Sequence, residues 1–123
     1  MTTAEGMMPG LARIRARFLD MLDQREQRLS QAIRIARATS SRGERIAALT
    51  ECQEILHKLA GTAGSVGLPE IGKKARRCEE AIFEHLDGDD CSSETVHGLL
   101  DWFMDTLASM PERQCHGRAQ YEH

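Results

Sequence analysis

The sequence predicts an all-α protein: an antiparallel up-down four-helix bundle with an extended N-terminal helix. Apolar residues recur at helical spacing through four stretches, no stretch alternates as a strand would, and short turn signals separate the stretches. Four amphipathic helices on short connections bury their stripes economically only against one another.

The first helix is expected from about Pro9 to Ala38, with Leu11, Ile14, Phe18, Leu22, Leu29, Ile33 and Ala36 facing inward. Proline suits a first helical turn. Thr39, Ser40, Ser41, Arg42 and Gly43 form a turn signal. The second helix runs from about Glu44 to Val66, its stripe made of Ala48, Cys52, Ile55, Leu56, Leu59, Ala63 and Val66. Gly67, Leu68 and Pro69 read as a stop and a restart. A third helix follows to about Leu86, burying Ile71, Ala75, Cys78, Ile82 and Leu86, and the run from Asp87 to Asp90 ends it. Ser92 or Ser93 caps a fourth helix to about Met110, with Val96, Leu99, Leu100, Phe103, Leu107 and Met110 inward. Pro111 closes that helix. The domain is thus expected over residues 9–111, between an N-terminal tail at 1–8 and a flexible C-terminal tail at 112–123.

Composition narrows the function classes. A chain of 123 residues suits one domain, and 41% hydrophobic with 28% charged residues suits a folded one. Aromatic residues are few, which argues against base-stacking nucleic-acid modules. A net charge of −3 gives no global attraction to nucleic acid or anionic membrane. No apolar run would span a bilayer, and MTTAEGMMPG lacks the features of a signal peptide, so a cytoplasmic monomer is expected. Cys52, Cys78, Cys91 and Cys115 form no CxxC pair, and His85, His97, His116 and His123 share no ligand spacing, so no metal site is expected.

The chemistry concentrates on the second helix, in I-L-H-K-L-A-G-T-A-G-S-V-G. With Leu59 at the centre of the buried stripe, a step of ~100° per residue puts His57 roughly 160° away, toward solvent. Gly61 and Gly64 fall within roughly 40° of His57, one and two turns further on. Glycine in an exposed helix interior costs ~1 kcal/mol against alanine. Helical side chains lean toward the N-terminus, so glycine at these positions leaves the imidazole over bare backbone. Neutral imidazole keeps a ring-nitrogen lone pair near neutral pH, which suits nucleophilic phosphoryl transfer. Lys58, Lys73, Lys74, Arg76 and Arg77 are candidates to neutralise phosphoryl oxygens or to steer an acidic partner. Plainer readings stand beside these. The histidine is then a solvated residue, the glycines allow a close helix crossing or a frayed end, and the basic run pairs with Glu70, Glu79 and Glu80.

The string His57, Lys58, Leu59, Ala60, Gly61, followed by Thr62 to Leu68, resembles the signature of the histidine-containing phosphotransfer (HPt) domain family. Ile71, Ala75, Arg76, Cys78 and Glu79 resemble the family's next helix. The resemblance implies a phosphorelay carrier without kinase activity. His57 would be the phosphorylated nucleophile, accepting from one receiver-domain aspartate and passing to another. Gln53, Ala60, Gly61 and Gly64 would give clearance and docking surface. The implied partners are response-regulator receiver domains, including those of a hybrid sensor kinase. The implied Mg²⁺ belongs to the receiver, so the chain itself would need no cofactor.

Two positions depart from the family pattern. Ala60 stands where many members carry lysine, and Glu79 stands where several carry a glutamine that bonds the imidazole. A carboxylate at Glu79 would orient the ring but also repel a phosphoryl group. The missing lysine favours the rival reading, an HPt-like module that sequesters a receiver without accepting phosphate. A structural bundle that self-associates around Trp102 is a third reading.

Overall fold

The computed structural model describes residues 9–88 and 91–113. It contains four α-helices, α1 (Pro9–Ala38), α2 (Arg42–Ala63), α3 (Pro69–Leu86) and α4 (Ser93–Ala108). No strand occurs among the described residues. The expected tail at 1–8 and residues 114–123 of the other tail, with Cys115, His116 and His123, lie outside them.

Local chemistry fixes the helix ends. The Ser41 hydroxyl accepts from the Glu44 amide at 3.2 Å, so α2 starts at Arg42, two residues before the expected Glu44. Ser92 does the same for α4, accepting from the Thr95 amide at 3.1 Å. A cap of this kind contributes about 1 kcal/mol. The helix expected to reach Val66 instead ends at Ala63 and tightens into a 3₁₀ turn over Gly64–Val66. Gly67 then turns left-handed at φ 81°, where glycine carries no Cβ penalty, and the Leu68 amide donates to the Ala63 carbonyl at 2.8 Å. Pro69 opens α3 at a position that needs no amide hydrogen.

The core is apolar throughout. Leu22, Leu29, Leu49, Leu56, Leu59, Ile82, Leu100, Phe103 and Leu107 are fully buried, and no polar or charged residue among the described ones is. α2 packs against both α1 and α3, α3 against α4, and α1 closes on α4. Ile14, expected inside, is 54% exposed, because the buried face of α1 passes instead through Phe18, Leu19 and Leu22. Polar links tie the edges. Arg28 meets Glu51 at 3.5 Å, the Cys78 thiol donates to the Leu99 carbonyl at 3.3 Å, and Arg37 meets Asp101 at 2.8 Å. Two residues expected in the loose C-terminal tail are also tied to α1. Glu112 meets Arg15 at 3.4 Å, and Arg113 meets Asp23 and Glu26 at 2.6 Å each.

At the far end of α1 the Arg37 guanidinium donates to His97 Nδ1 at 3.2 Å, so that ring nitrogen holds a lone pair and not a proton. Burial and the Arg37 cation hold His97 below its ordinary value of 6.5, with His85 and Arg45 pushing the same way and Asp101 opposing. As pH falls, the unfolded chain protonates His97 before the folded protein does. The contribution is therefore complete above about pH 6.5 and is lost as pH drops through the lower folded value. Urea denaturation should show stability declining as pH falls below about 6.5, and His97→Gln should make that decline shallower.

Candidate functional site

α2 presents His57 to solvent, with its side chain 75% exposed. Gln53, Glu54 and Lys58 from the same helix and Glu79 from α3 share an open cleft with it. Glu79 is the ring's hydrogen-bond partner among the described residues, its Oε2 lying 2.7 Å from Nδ1. A carboxylate accepts and does not donate, so in the neutral imidazole Nδ1 carries the ring proton and Nε2 keeps the lone pair. The contact also restricts rotation of a side chain that is otherwise in water.

Gly72 explains how Glu79 reaches the ring. A Cβ on Gly72 would come within 3.2 Å of the Ala60 carbonyl, 3.6 Å of Ala63 Cβ and 3.7 Å of the Gly64 amide. α3 therefore lies against α2 where a larger residue would hold it off. Glu79 is seven residues further along α3, about 20° from the Gly72 direction, so it projects toward α2 as well. Close packing of the two backbones thus delivers the carboxylate to the imidazole.

Gly61 and Gly64 do something different. A Cβ at either position would meet nothing within 4 Å. The close helix crossing that could have explained them belongs to Gly72. Fraying does not explain Gly61, because α2 stays helical through Ala63. Gly64 has an ordinary right-handed conformation at φ −62°. Nothing among the described residues requires glycine at either place. Both are exposed beside His57, so the bare backbone faces outward.

The expected basic surround divides. Lys58 is exposed and lines the His57 cleft. Lys73 pairs with Glu70 at 3.4 Å. Lys74 lies 5.3 Å from the centroid of Trp102, over the ring, and lines a cleft of about 530 Å³ against α4. Arg76 and Arg77 are exposed. By helical spacing Arg76 lies about 60° from Glu79 and Arg77 about 160°, so only Arg76 shares the edge nearest His57. Ala60, expected on the docking surface, is only 9% exposed and sits in the α2–α3 seam against Gly72. Cys52 and Cys78 take no part: burial pushes their thiols up to about 12, which keeps them protonated. No group of three or more His, Cys, Asp or Glu able to hold a metal ion occurs among the described residues.

Sequence reasoning missed Gly72, although a glycine seven residues before Glu79 on one helix edge was a readable signal. It also missed Met21, Arg25 and Arg28 of α1, which flank Lys58 across a second cleft.

The family model for the Hpt domain matches residues 13–110, and the chain belongs to that family. No curated protein and no solved structure matches the chain. Membership implies histidine phosphotransfer in phosphorelay, and members of the family are phosphocarriers rather than kinases. Among the described residues, no helix is long and apolar enough to cross a membrane.

The three glycines should separate by stability. Gly61→Ala should raise stability by about 1 kcal/mol, the helix-propensity gain in open space. Gly72→Ala should fall below Gly61→Ala by about 1–3 kcal/mol, because backbone atoms must move to admit the methyl group. Denaturant titration of the two variants beside the wild type checks both.

Proposed function

We propose that this chain is a phosphorelay phosphocarrier in which His57 accepts a phosphoryl group from a receiver-domain aspartate and passes it to another. The observation that carries this reading is an exposed imidazole, held at Nδ1 by Glu79, beside backbone stripped of side chains at Gly61 and Gly64. The reading takes the helices as an antiparallel up-down bundle over residues 9–111, working as a monomer in the cytoplasm. Paired contacts support the antiparallel order: 28 with 51 and 39 with 45 join α1 and its turn to α2, and 57 with 79 and 60 with 72 join α2 to α3.

The step follows from the ring's geometry. The Nε2 lone pair attacks phosphorus in line with the acyl oxygen of the aspartyl phosphate. The N–P bond forms as the P–O bond breaks, and the aspartate leaves as a carboxylate. His57 gains positive charge on the ring, and Glu79 offsets it through the Nδ1 proton, which stays in place. Transfer onward reverses these bonds on a second aspartate. The partner must bring its phosphoryl group to within about 3–3.5 Å of Nε2. Side chains at positions 61 and 64 would stand in its way. Lys58 and Arg76 are the cations placed to meet the phosphoryl oxygens. The chain has no role for nucleotide in this scheme and acts as a carrier rather than a kinase.

A second reading, a module that sequesters a receiver without accepting phosphate, is favoured by one observation. Ala60 is buried and supplies no cation at the position where many family members carry lysine. Phosphohistidine separates the two readings.

Receiver domains labelled with radioactive phosphate should transfer label to the wild type and not to His57→Gln. Gly61→Leu should fold and accept label at least about tenfold more slowly, since it bars close approach. Label retained by His57→Gln would refute His57 as the acceptor, and receiver binding without any phosphohistidine would favour sequestration.

A further inference from the structure

A second cleft lies on the opposite flank of the turn that carries His57, between α1 and α2. It holds about 190 Å³ and is lined by Arg25, Arg28, Lys58 and Glu54, with Met21 and Ile55 as apolar walls. Three cations therefore face one carboxylate in a small space. Arg28 has its own acceptor in Glu51 at 3.5 Å. Arg25 differs: its Nη1 is buried and has no hydrogen-bond partner. A buried donor without an acceptor is costly, and native proteins rarely keep one without a reason. Arg25 also lines the cleft, so a turn of its side chain would bring this donor to an acceptor that arrives there.

Size and position narrow the occupant. Small-molecule sites usually enclose ~300–1,000 Å³, so this cleft suits a single side chain better than a free ligand. Lys58 and Glu54 line both this cleft and that of His57, so an occupant sits beside the imidazole. His57 itself does not line the cationic cleft, so the transferred phosphoryl group is not what fills it. A carboxylate matches the guanidinium fork, and the apolar walls match the methylene stem that carries it.

We infer that the α1–α2 cleft is a socket for an aspartate or glutamate side chain of the protein that docks over His57, with Arg25 as the anchoring residue. This rests on the phosphocarrier reading and adds the feature by which the partner is held. Arg25 is a docking residue here and takes no part in the bond changes at Nε2.

The test uses full-length chain and the receiver domain that labels His57. Arg25→Gln should weaken receiver binding in calorimetry by about tenfold, the scale of one charge-assisted hydrogen bond. Labelling by subsaturating phospho-receiver should slow by a similar factor. Labelling by phosphoramidate, a small donor with no protein surface, should stay unchanged. The thermal midpoint should not fall, because the Nη1 donor has no partner to lose. Equal receiver affinity for Arg25→Gln and wild type would overturn the socket and leave the carrier reading standing. A proportional loss of phosphoramidate labelling would also overturn it, placing Arg25 on the phosphoryl group instead. A wild type that neither binds nor accepts phosphate from any receiver would bring down the carrier reading and the socket together.

Discussion

Two helices of this chain meet over residues too small to keep them apart. Gly72 of α3 lies against the Ala60 carbonyl, Ala63 and the Gly64 amide of α2, so closely that a Cβ there would stand 3.2 Å from the Ala60 carbonyl. The position of everything near His57 follows from that approach. Two turns along α3, the same edge carries Glu79 to 2.7 Å from the imidazole. The approach is itself held by apolar residues on the inner faces, among them Leu56, Leu59 and Ile82, which are fully buried. An exposed histidine would ordinarily sample many rotamers. This one is fixed from the side by a carboxylate that the helix packing supplies.

The glycines of the site have opposite meanings although they belong to one short region. Gly72 is small because the protein's own backbone occupies the space. Gly61 and Gly64 are small although the protein leaves the space empty. At Gly61, inside α2, the chain gives up about 1 kcal/mol of helix stability without a return among the described residues. A surface kept bare at that cost fits a protein whose function is performed when another molecule's surface covers it. The distribution of charge agrees. Lys73 and Lys74 are engaged with Glu70 and Trp102, whereas Lys58 lies between the imidazole cleft and the guanidinium groups of α1.

Much of this was legible in the sequence because helical periodicity converts spacing directly into direction. The four helices, the solvent-side placement of His57 and the bare strip at Gly61 and Gly64 all follow from a step of ~100°. Glu79 was named from the resemblance to a family, and the structure brings it to the ring. What periodicity cannot supply is which neighbour a given face meets. Ala60 was grouped with the docking surface through the resemblance, yet it is buried in the seam against Gly72 of α3. Lys74 was grouped with the other bases because it is adjacent in sequence, but adjacent helical residues diverge by ~100°, and it faces α4. Arg25 lies more than thirty residues before His57, and no local pattern joins them. Ile14 fits the apolar stripe of α1 in projection, but the inner face there runs through Phe18 and Leu19.

The central claim is that Glu79 holds the proton of His57 on Nδ1 and so leaves Nε2 to react. Long-range ¹H–¹⁵N correlation spectra of the His57 ring, recorded before and after phosphorylation, address it directly. The account expects an Nδ1–H tautomer in the free protein and phosphorus coupling at Nε2 in the phosphorylated one. A proton on Nε2 in the free protein, or phosphorus bonded to Nδ1, would contradict it.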